Sequence, residues 1–388
     1  MSILPIDLDY LADTLKRLLV IPSPTGFTDT VVRAVCKELT ELGAEFQLTR
    51  RGAIRCKVAG RSSQPARGFI SHLDTLGAQV KRLKPNGRLE LVPIGHWSAR
   101  FAEGARCTIF SNEGSYRGTI MPPKASGHTF GEEVDSAPIG WEHVELRVDA
   151  WADDDVAASK LGIDVGDLVS IDPQPEFLDN GYIISRHLDN KAGVAVMLAA
   201  LKALLSDKGK PTVDTFWLFS ISEEVGYGAS HVLTQDIASL VVVDNGSTAP
   251  GQNSAEFGVT IAMADMTGPF DYHTTRKLIS LCQEHDIKHQ RDIFKYYRSD
   301  SAAALEAGAD VRTALATFGV DASHGYERIH MHALRSLAEL LTAYATSPVA
   351  IKRDAVETGS LKGFTKQTTS EASQDLEPDV TDYDLSTG

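Results

Sequence analysis

Acidic residues and histidines follow short apolar runs at five places in the sequence. These residues are His72 with Asp74, Asp189, Glu223 with Glu224, Asp244, and His324. Imidazole and carboxylate groups are the usual ligands of zinc and cobalt in hydrolases. Because the carboxyl ends of parallel strands lie at one edge of a sheet, side chains that leave different strands there can converge on one point. The pattern therefore favours a metal-dependent hydrolase.

Most of these residues also have an ordinary structural interpretation. His72 is compatible with a hydrogen-bonded histidine, Asp189 with the N-cap of a following helix, and Asp244 with a turn residue. Glu223 and Glu224 are harder to explain as a surface pair, because the run before them is apolar on both faces. Two buried carboxylates need a cation, a proton or solvent to offset their repulsion and desolvation. A metal site is the simplest explanation of this pair.

Apart from Asp74, the set has two histidines, two aspartates and two glutamates, which is one carboxylate more than two metal ions require as ligands. In two-metal hydrolases the ions lie about 3.5 to 4 Å apart and polarise both the attacking water and the substrate carbonyl. With one shared carboxylate and about two further ligands for each ion, one acid is left over. That acid is available as the general base.

Alternating helices and strands must position these residues. Apolar residues at three-to-four-residue spacing predict a helix over 7–20, and a short apolar run predicts a strand that delivers His72 to its carboxyl end. The alternation resumes near residue 181, where a helix over 190–205 precedes a strand over 215–222. Strands that alternate with helices predict an α/β fold with a mostly parallel sheet flanked by helices.

Residues 76–177 have a different sequence pattern, in which short runs of alternating apolar and polar residues are broken by Gly, Pro and Asn. That pattern predicts an inserted small β-barrel-like domain. We therefore expect a discontinuous α/β catalytic domain over 1–75 and 178–350. The segment 351–388 is acidic and poor in branched apolar residues, so we expect a disordered tail there.

Composition excludes several classes of protein. The chain has 388 residues, of which 43 % are apolar and 23 % charged, as in soluble folded proteins and unlike membrane proteins. The net charge of −14 gives no support for binding nucleic acid or anionic lipid. The four cysteines form no Cys-x-x-Cys pair, and we find no secretory signal. We therefore expect reduced thiols, a cytoplasmic location, and neither a membrane nor a nucleic-acid partner.

Five motifs together resemble those of the dinuclear-metal aminopeptidases of the glutamyl aminopeptidase and tetrahedral (TET) aminopeptidase type. The match covers about residues 5–347 and includes the interrupted architecture. In the family's order, the motifs are His72-Leu73-Asp74, Arg186-His187-Leu188-Asp189-Asn190-Lys191-Ala192-Gly193, Glu223-Glu224-Val225-Gly226, Val243-Asp244, and Ala322-Ser323-His324-Gly325-Tyr326-Glu327. The resemblance implies an aminopeptidase that uses two divalent metal ions, zinc or cobalt.

The resemblance also implies which residues hold the ions. His72 and Asp244 would bind one metal, Glu224 and His324 would bind the other, and Asp189 would bridge both. Every residue of this ligand set belongs to the group found from the apolar runs.

Two further roles are implied for residues beside the ligands. Glu223 would be the general base, taking a proton from water and passing it to the leaving amine. Asp74 would accept a hydrogen bond from His72 and fix its tautomer.

The chain departs from the family pattern at two places. Lys191 stands where the family commonly has Arg, and Asp321-Ala322-Ser323-His324 replaces an Arg-Tyr-Ile-His stretch, which leaves His330 and His332 as alternatives to His324. Within the family, the chain resembles the subgroup associated with the osmoprotectant N-acetylglutaminylglutamine amide. That compound has no free amino group, so an amidase or deacylase acting on N-acylated dipeptides is an alternative activity.

The resemblance implies partners as well as chemistry. A short peptide would be the substrate, and the inserted domain would make dimer contacts in a dimer or in a tetrahedral dodecamer. A non-catalytic assembly or binding protein that keeps the fold is the alternative from another functional class.

Overall fold

The computed structural model describes residues 3–206, 210–234 and 236–367. Its helices are α1 (Leu8–Leu19), α2 (Asp29–Glu41), α3 (Gly127–Phe130), α4 (Asp155–Lys160), α5 (Leu188–Leu205), α6 (Tyr272–Glu284), α7 (Asp300–Glu306) and α8 (Met331–Thr346). Its strands are β1 (Phe46–Leu48), β2 (Ile54–Val58), β3 (Ser62–His72), β4 (Gly77–Leu83), β5 (Leu89–Ile94), β6 (Arg106–Ser111), β7 (Gly114–Met121), β8 (Glu145–Val148), β9 (Leu168–Ile171), β10 (Glu176–Phe177), β11 (Tyr182–Ser185), β12 (Val213–Ser220), β13 (Ile237–Ser247), β14 (Val259–Asp265), β15 (Gly268–Pro269), β16 (His289–Ile293), β17 (Arg312–Val320) and β18 (Glu327–His330).

The larger sheet carries the centre of the molecule. Its strand order is β1-β2-β12-β3-β13-β17-β14-β15, with β16 paired to β14. The central strands β12, β3, β13 and β17 run parallel to one another. Every residue of β12 is buried, as expected for a strand covered on both faces of its sheet. The predicted α/β class, with a largely parallel sheet between helices, is confirmed.

The four central strands deliver the chemically active residues to one edge of this sheet. β3 ends at His72, and β13 contains Asp244 near its carboxyl end. β12 ends three residues before Glu223, and β17 ends four residues before His324. Because these strands are parallel, their carboxyl ends face the same side.

Helix α5 packs against the sheet and fixes a further residue at the same edge. It is apolar on nearly all sides and buried along most of its length, between α1 and α8. Gly193 lies so close to β3 that a Cβ there would be 2.8 Å from Ser71 Oγ and 2.1 Å from Asn190 Oδ1. This close approach sets the first turn of α5 against the end of β3. In the described ranges, no helix combines the length and apolar character needed to cross a membrane.

A closed antiparallel barrel follows β3 in the chain. Its strand order is β4-β5-β8-β7-β6-β9, and it has a separate core that includes Ile109, Ile120 and Leu146. The chain then returns through a short sheet of order β10-β11-β18, which leads into α5. The barrel is therefore placed between two segments that contribute to the larger sheet and its helices.

The segment after α8 lies against the opposite end of the sheet. Asp354 Oδ2 accepts a hydrogen bond from Arg312 Nε at 2.6 Å, and Arg312 also pairs with Asp271 at 3.0 Å. These contacts hold the first part of the segment 351–388, for which the sequence predicts an acidic tail. Residues 368–388 of that tail lie outside the described residues.

Candidate metal centre

Asp189 lies between two histidines at the carboxyl edge of the sheet. Its Oδ1 is 3.1 Å from His72 Nε2, and its Oδ2 is 3.2 Å from His324 Nε2. His72 ends β3, His324 follows β17, and Asp189 begins α5. One carboxylate thus presents a separate oxygen to each imidazole, which is the arrangement that a ligand shared by two cations needs.

Three further carboxylates complete the cluster. Glu223 Oε2 and Asp244 Oδ1 lie 3.7 and 3.8 Å from His72 Nε2, and Glu224 Oε2 lies 3.7 Å from His324 Nε2. Two trios have their ligand atoms within 4.8 Å of one another, namely His72 with Asp189 and Glu224, and His72 with Glu223 and Asp244. The structure therefore brings the sequence-derived ligands and base together, and it places Glu223 where it can also serve as a ligand.

Both imidazoles are oriented by main-chain carbonyls. His72 Nδ1 is 2.9 Å from the carbonyl oxygen of Asp74, and His324 Nδ1 is 2.8 Å from that of His96 in the barrel. A carbonyl oxygen only accepts, so each neutral imidazole carries its proton on Nδ1. The lone pair of each Nε2 then faces Asp189, as metal binding requires.

The carboxylate of Asp74 has a different partner from the one expected. We expected it to accept a hydrogen bond from His72, but the closest approach of the two is 3.7 Å and the Asp74 main-chain carbonyl accepts instead. The prediction is wrong in this detail, because the chain turns after β3 and brings that carbonyl under the ring. The carboxylate accepts the backbone N–H groups of Glu223 and Glu224, at 3.2 and 3.4 Å, and the hydroxyl of Thr25 at 2.7 Å. Asp74 therefore holds the segment that carries the predicted base.

Burial and mutual charge perturb the titration of the cluster. Burial raises the pKa of Glu223 and of Glu224 well above the usual range, and neighbouring acids add to the effect. Burial and the charge of Asp189 raise the pKa of Asp244 to about 7. Burial alone would lower the pKa of His324, but its contacts with Asp189 and Glu224 raise it to about 11. Burial of several acids close together thus favours their protonated forms, and the nearby carboxylates favour the charged form of His324.

The donor set fits divalent cations. It consists of two imidazole nitrogens and several carboxylate oxygens, the donors that zinc and cobalt take in hydrolases. Glu224 Oε1 is buried and has no hydrogen-bond partner among the described residues. A buried carboxylate oxygen in that state costs free energy unless a cation or proton satisfies it.

Asn245 is a member of the site that sequence reasoning missed. Its Nδ2 donates to Asp189 Oδ2 at 2.6 Å, and its Oδ1 accepts from Ser323 Oγ at 3.1 Å. It therefore links the Asp189 carboxylate to Ser323, the residue before His324. The only signal in the sequence is its position directly after Asp244.

A cavity of about 510 Å³ opens beside the cluster. The acids line one side, and Met266, Tyr296, Tyr297 and Arg298 line the other. The Tyr297 hydroxyl is buried beside Asp244, whereas Arg298 pairs with Glu306 at 2.7 Å. Sequence reasoning missed these residues, because no apolar run or motif marks them. The volume suits a small-molecule substrate.

Other residues singled out in the sequence lie outside the cluster. His330 Nε2 is bonded to the Asn180 carbonyl oxygen at 3.0 Å, and its Nδ1 accepts the backbone N–H of His332. Among the described residues, neither histidine lies in the two trios of ligand atoms, and His324 lies outside those trios as well. His324 is the histidine that contacts Asp189 and Glu224, at 3.2 and 3.7 Å. Lys191 is buried and donates to the Ile21 carbonyl, and burial lowers its pKa to about 7.

Comparison with known sequences identifies relatives that are named as aminopeptidases, some of them provisionally. A sequence model of the M42 glutamyl aminopeptidase family matches residues 52–340. YhfE of Bacillus subtilis, named provisionally as an aminopeptidase, is 36 % identical over 87 % of this chain and 97 % of its own length. The glutamyl aminopeptidase of Lactococcus lactis is 26 % identical over 58 % of this chain and 62 % of its own.

Solved structures with the same fold include two archaeal peptidases. A TET aminopeptidase from a marine sediment Thaumarchaeota archaeon superposes with a TM-score of 0.78 at 17 % identity, covering 87 % of this chain and 96 % of that one. The TET1 peptidase of Pyrococcus horikoshii, described as assembling into a tetrahedron or a large octahedral shell, gives 0.76 at 19 % identity, covering 87 % of this chain and 100 % of that one. At these identities the likeness shows a shared fold.

Metal-free protein should lose stability as the pH rises from about 5 to about 8. The unfolded Asp244 carboxyl ionises near its ordinary pKa of 3.8, whereas the native one keeps its proton up to about 7. The native state thus binds more protons in that interval, so its free energy of unfolding falls with increasing pH. Thermal unfolding of chelator-treated protein across this range measures the trend.

Two controls make the pH experiment specific. Asp244→Asn removes one of the titrating groups and should reduce the slope, and a divalent cation should restore stability at pH 8. A metal-free stability that rises with pH, or a slope unchanged in Asp244→Asn, would contradict the role given to this carboxyl.

Proposed function

The chain belongs to the M42 glutamyl aminopeptidase family, a family of metal-dependent peptidases, and on that premise we propose that it removes amino-terminal residues from short peptides with two divalent metal ions and Glu223 as general base. The proposal depends mainly on the position of the Asp189 carboxylate. One of its oxygens faces His72 and the other faces His324. In the proposed site, His72 and Asp244 hold one ion, Glu224 and His324 hold the other, and Asp189 bridges them.

Charge balance supports two ions rather than one. Asp189, Glu223, Glu224 and Asp244 contribute four negative charges when ionised, and none of their side chains is more than 14 % exposed. Two divalent cations, zinc or cobalt, supply four positive charges. A single divalent ion would leave two buried charges without compensation, which is expensive in a protein interior.

Glu223 is suited to proton transfer. When bound, the two cations supply Lewis acidity toward the peptide carbonyl and make water a better nucleophile. Glu223 accepts a proton from the attacking water as the new C–O bond forms. It then donates that proton to the amine nitrogen as the C–N bond breaks. Asp74 keeps the base in place by accepting its backbone N–H.

Replacing the base should separate catalysis from metal binding. In Glu223→Gln, the side chain keeps its shape but no longer accepts a proton, so we expect kcat to fall by a factor of about 10² to 10⁴. The metal content should stay nearly unchanged, because five ligands remain. Peptide hydrolysis and metal analysis on the same sample measure both. Glu113→Gln, at an exposed turn between β6 and β7, is the matched control and should behave like wild type. Wild-type turnover in Glu223→Gln would contradict the role of Glu223 as general base.

We further propose that the substrate is a glutamine-containing dipeptide related to the osmoprotectant N-acetylglutaminylglutamine amide. The motif that departs from the family pattern, Asp321 to His324, ends at the cavity wall, since His324 lines the cavity. Ser323 of this motif bonds to Asn245, which in turn contacts Asp189. The altered residues are thus linked to both the metal cluster and the substrate space.

The acyl group of that osmoprotectant separates the candidate activities. We expect chelator-sensitive cleavage of glutaminyl-glutamine with a free amino group, and little cleavage of its N-acetyl derivative. Cleavage of the acetylated dipeptide alone would favour an amidase or deacylase. Absence of bound metal, with no cleavage of either peptide after adding zinc, cobalt or manganese, would favour a non-catalytic assembly or binding protein.

We also propose that the chain forms a homo-oligomer through the barrel, as a dimer or a tetrahedral dodecamer. In this view residues 76–177 are a dimerisation or lid domain inserted into a catalytic domain of 1–75 and 178–350. Two large apolar side chains of that region, Trp151 and Ile139, are 87 % and 44 % exposed. Apolar surface of this kind often marks an interface.

The four cysteines are free, which supports the reducing cytoplasm expected from the sequence.

Light scattering tests the assembly. We expect a mass of two or twelve chains, and a reduced mass for Trp151→Ser if the barrel surface makes the contact. Tyr296→Ser, which changes a side chain exposed to a similar degree (84 %) at the cavity, is the control and should leave the mass unchanged. A mass equal to one chain for the wild type would remove the oligomer.

A further inference from the structure

Glu327 is a buried acid that contacts two of the proposed metal ligands through their main chain. Glu327 is only 1 % exposed. Its Oε2 accepts the backbone N–H of Asp189 at 3.1 Å, and its Oε1 accepts the backbone N–H of His324 at 3.0 Å. The two oxygens of one carboxylate thus join two segments that are 135 residues apart in the sequence.

The backbone of Glu327 is held by a rigid element. Glu327 is the first residue of β18, and it lies opposite Ser185 of β11 in the antiparallel pairing. β11 leads within four residues to Asp189, and β18 follows the turn that contains His324. Strand pairing therefore fixes the backbone of Glu327 close to the segments that carry Asp189 and His324.

The turn that carries His324 needs such support. His324 has a φ of +64° and Ala322 a φ of +58°, both in the left-handed region that residues other than glycine rarely adopt. Backbone conformations of this kind persist when surrounding contacts impose them, and they concentrate at functional sites. The hydrogen bond from the His324 N–H to Glu327 is one of the contacts that impose this conformation.

No simple stabilising role accounts for the carboxylate. Within the part of the chain described, no lysine or arginine side chain lies within 4 Å of the Glu327 carboxylate as an ion-pair partner. A buried acid without a cationic partner costs free energy. Its two hydrogen-bond partners are instead the backbone N–H groups of Asp189 and His324, both proposed metal ligands.

The site already contains a second example of the same device. Asp74 accepts the backbone N–H groups of Glu223 and Glu224 with its two oxygens. One buried acid thus holds the pair formed by the base and its neighbour, and the other holds the pair formed by the bridging ligand and the second histidine.

We propose that Glu327 is a positioning residue that sets the separation of Asp189 and His324 and thereby the affinity for the cation these two residues share. The inference rests on the proposed two-metal function. Glu327 does not touch the substrate or the reacting atoms in this arrangement. Its effect is transmitted through two main-chain N–H groups.

Glu327→Gln tests the double acceptor directly. Glutamine has one carbonyl oxygen, and its NH₂ group would face a second N–H donor, so one of the two backbone groups loses its acceptor. We expect the affinity of one metal ion to fall by about 10- to 100-fold in competition with a chelator, the size of effect seen when residues behind metal ligands are removed. Hydrogen exchange at the Asp189 and His324 amides should accelerate, both with and without metal.

Glu145→Gln is the matched control. Glu145 is also a buried glutamate, 3 % exposed, but it lies in the barrel and pairs with Lys84 and Arg88. Its replacement should lower the stability of the barrel while leaving both metal affinities and exchange at the two amides unchanged. Equal metal loss in both variants would show a general loss of stability and overturn the proposal.

The remaining outcomes are also decisive. Wild-type metal affinities and exchange rates in Glu327→Gln overturn the proposal. If that variant does not fold, Glu327→Asp, which shortens the reach by one methylene, must show the same selective loss, and unchanged affinities there overturn it as well. A wild-type protein without bound metal or peptidase activity would instead refute the proposed function, while the exchange measurement would still test the contact.

Discussion

Several carboxylates are buried within a few ångströms of one another, and the arrangement of the elements around the cluster depends on stabilising them. Asp189, Glu224 and Asp244 have side chains that are at most 5 % exposed. An ionised carboxylate in such surroundings is unfavourable unless cations and hydrogen-bond donors replace its water. The same residues that give the site its chemistry therefore weaken the metal-free fold. Cations bound to the native state alone would offset this cost, so metal binding and folding are thermodynamically linked.

Regular elements rather than flexible loops meet this requirement. Four parallel strands end at one edge, and α5 begins there with Asp189. Gly193 allows α5 to approach β3 so closely that a larger residue would displace Asn190, the neighbour of Asp189. Asn190 in turn donates to the Val243 carbonyl at 2.8 Å, beside Asp244. The segments that carry Asp189 and Asp244 are therefore held together by packing and by a backbone contact, which is the kind of support that a precise metal site would require.

The sequence predicts the direct members of the site better than their supports. His72, Asp189 and Asp244 are marked by apolar runs, because a buried strand must be apolar and its end must face the edge of the sheet. The residues that orient them carry no such mark. The carbonyl that orients His324 belongs to His96, which is 228 residues away, and a main-chain carbonyl has no side-chain identity to detect. Asn245 and Glu327 lie beside or within the recognised motifs, yet only the folded backbone shows which N–H or oxygen each one reaches.

The barrel is part of this support, although its core is separate from that of the sheet. The His96 carbonyl comes from the segment after β5, and it keeps the proton of His324 on Nδ1. If the barrel moved away, that acceptor would be lost and the imidazole could carry its proton on Nε2, the atom that faces Asp189. The orientation of the His324 imidazole therefore depends on where the barrel lies against the sheet. Contacts made by the barrel with other molecules would act on the same equilibrium, because they bias its position relative to His324.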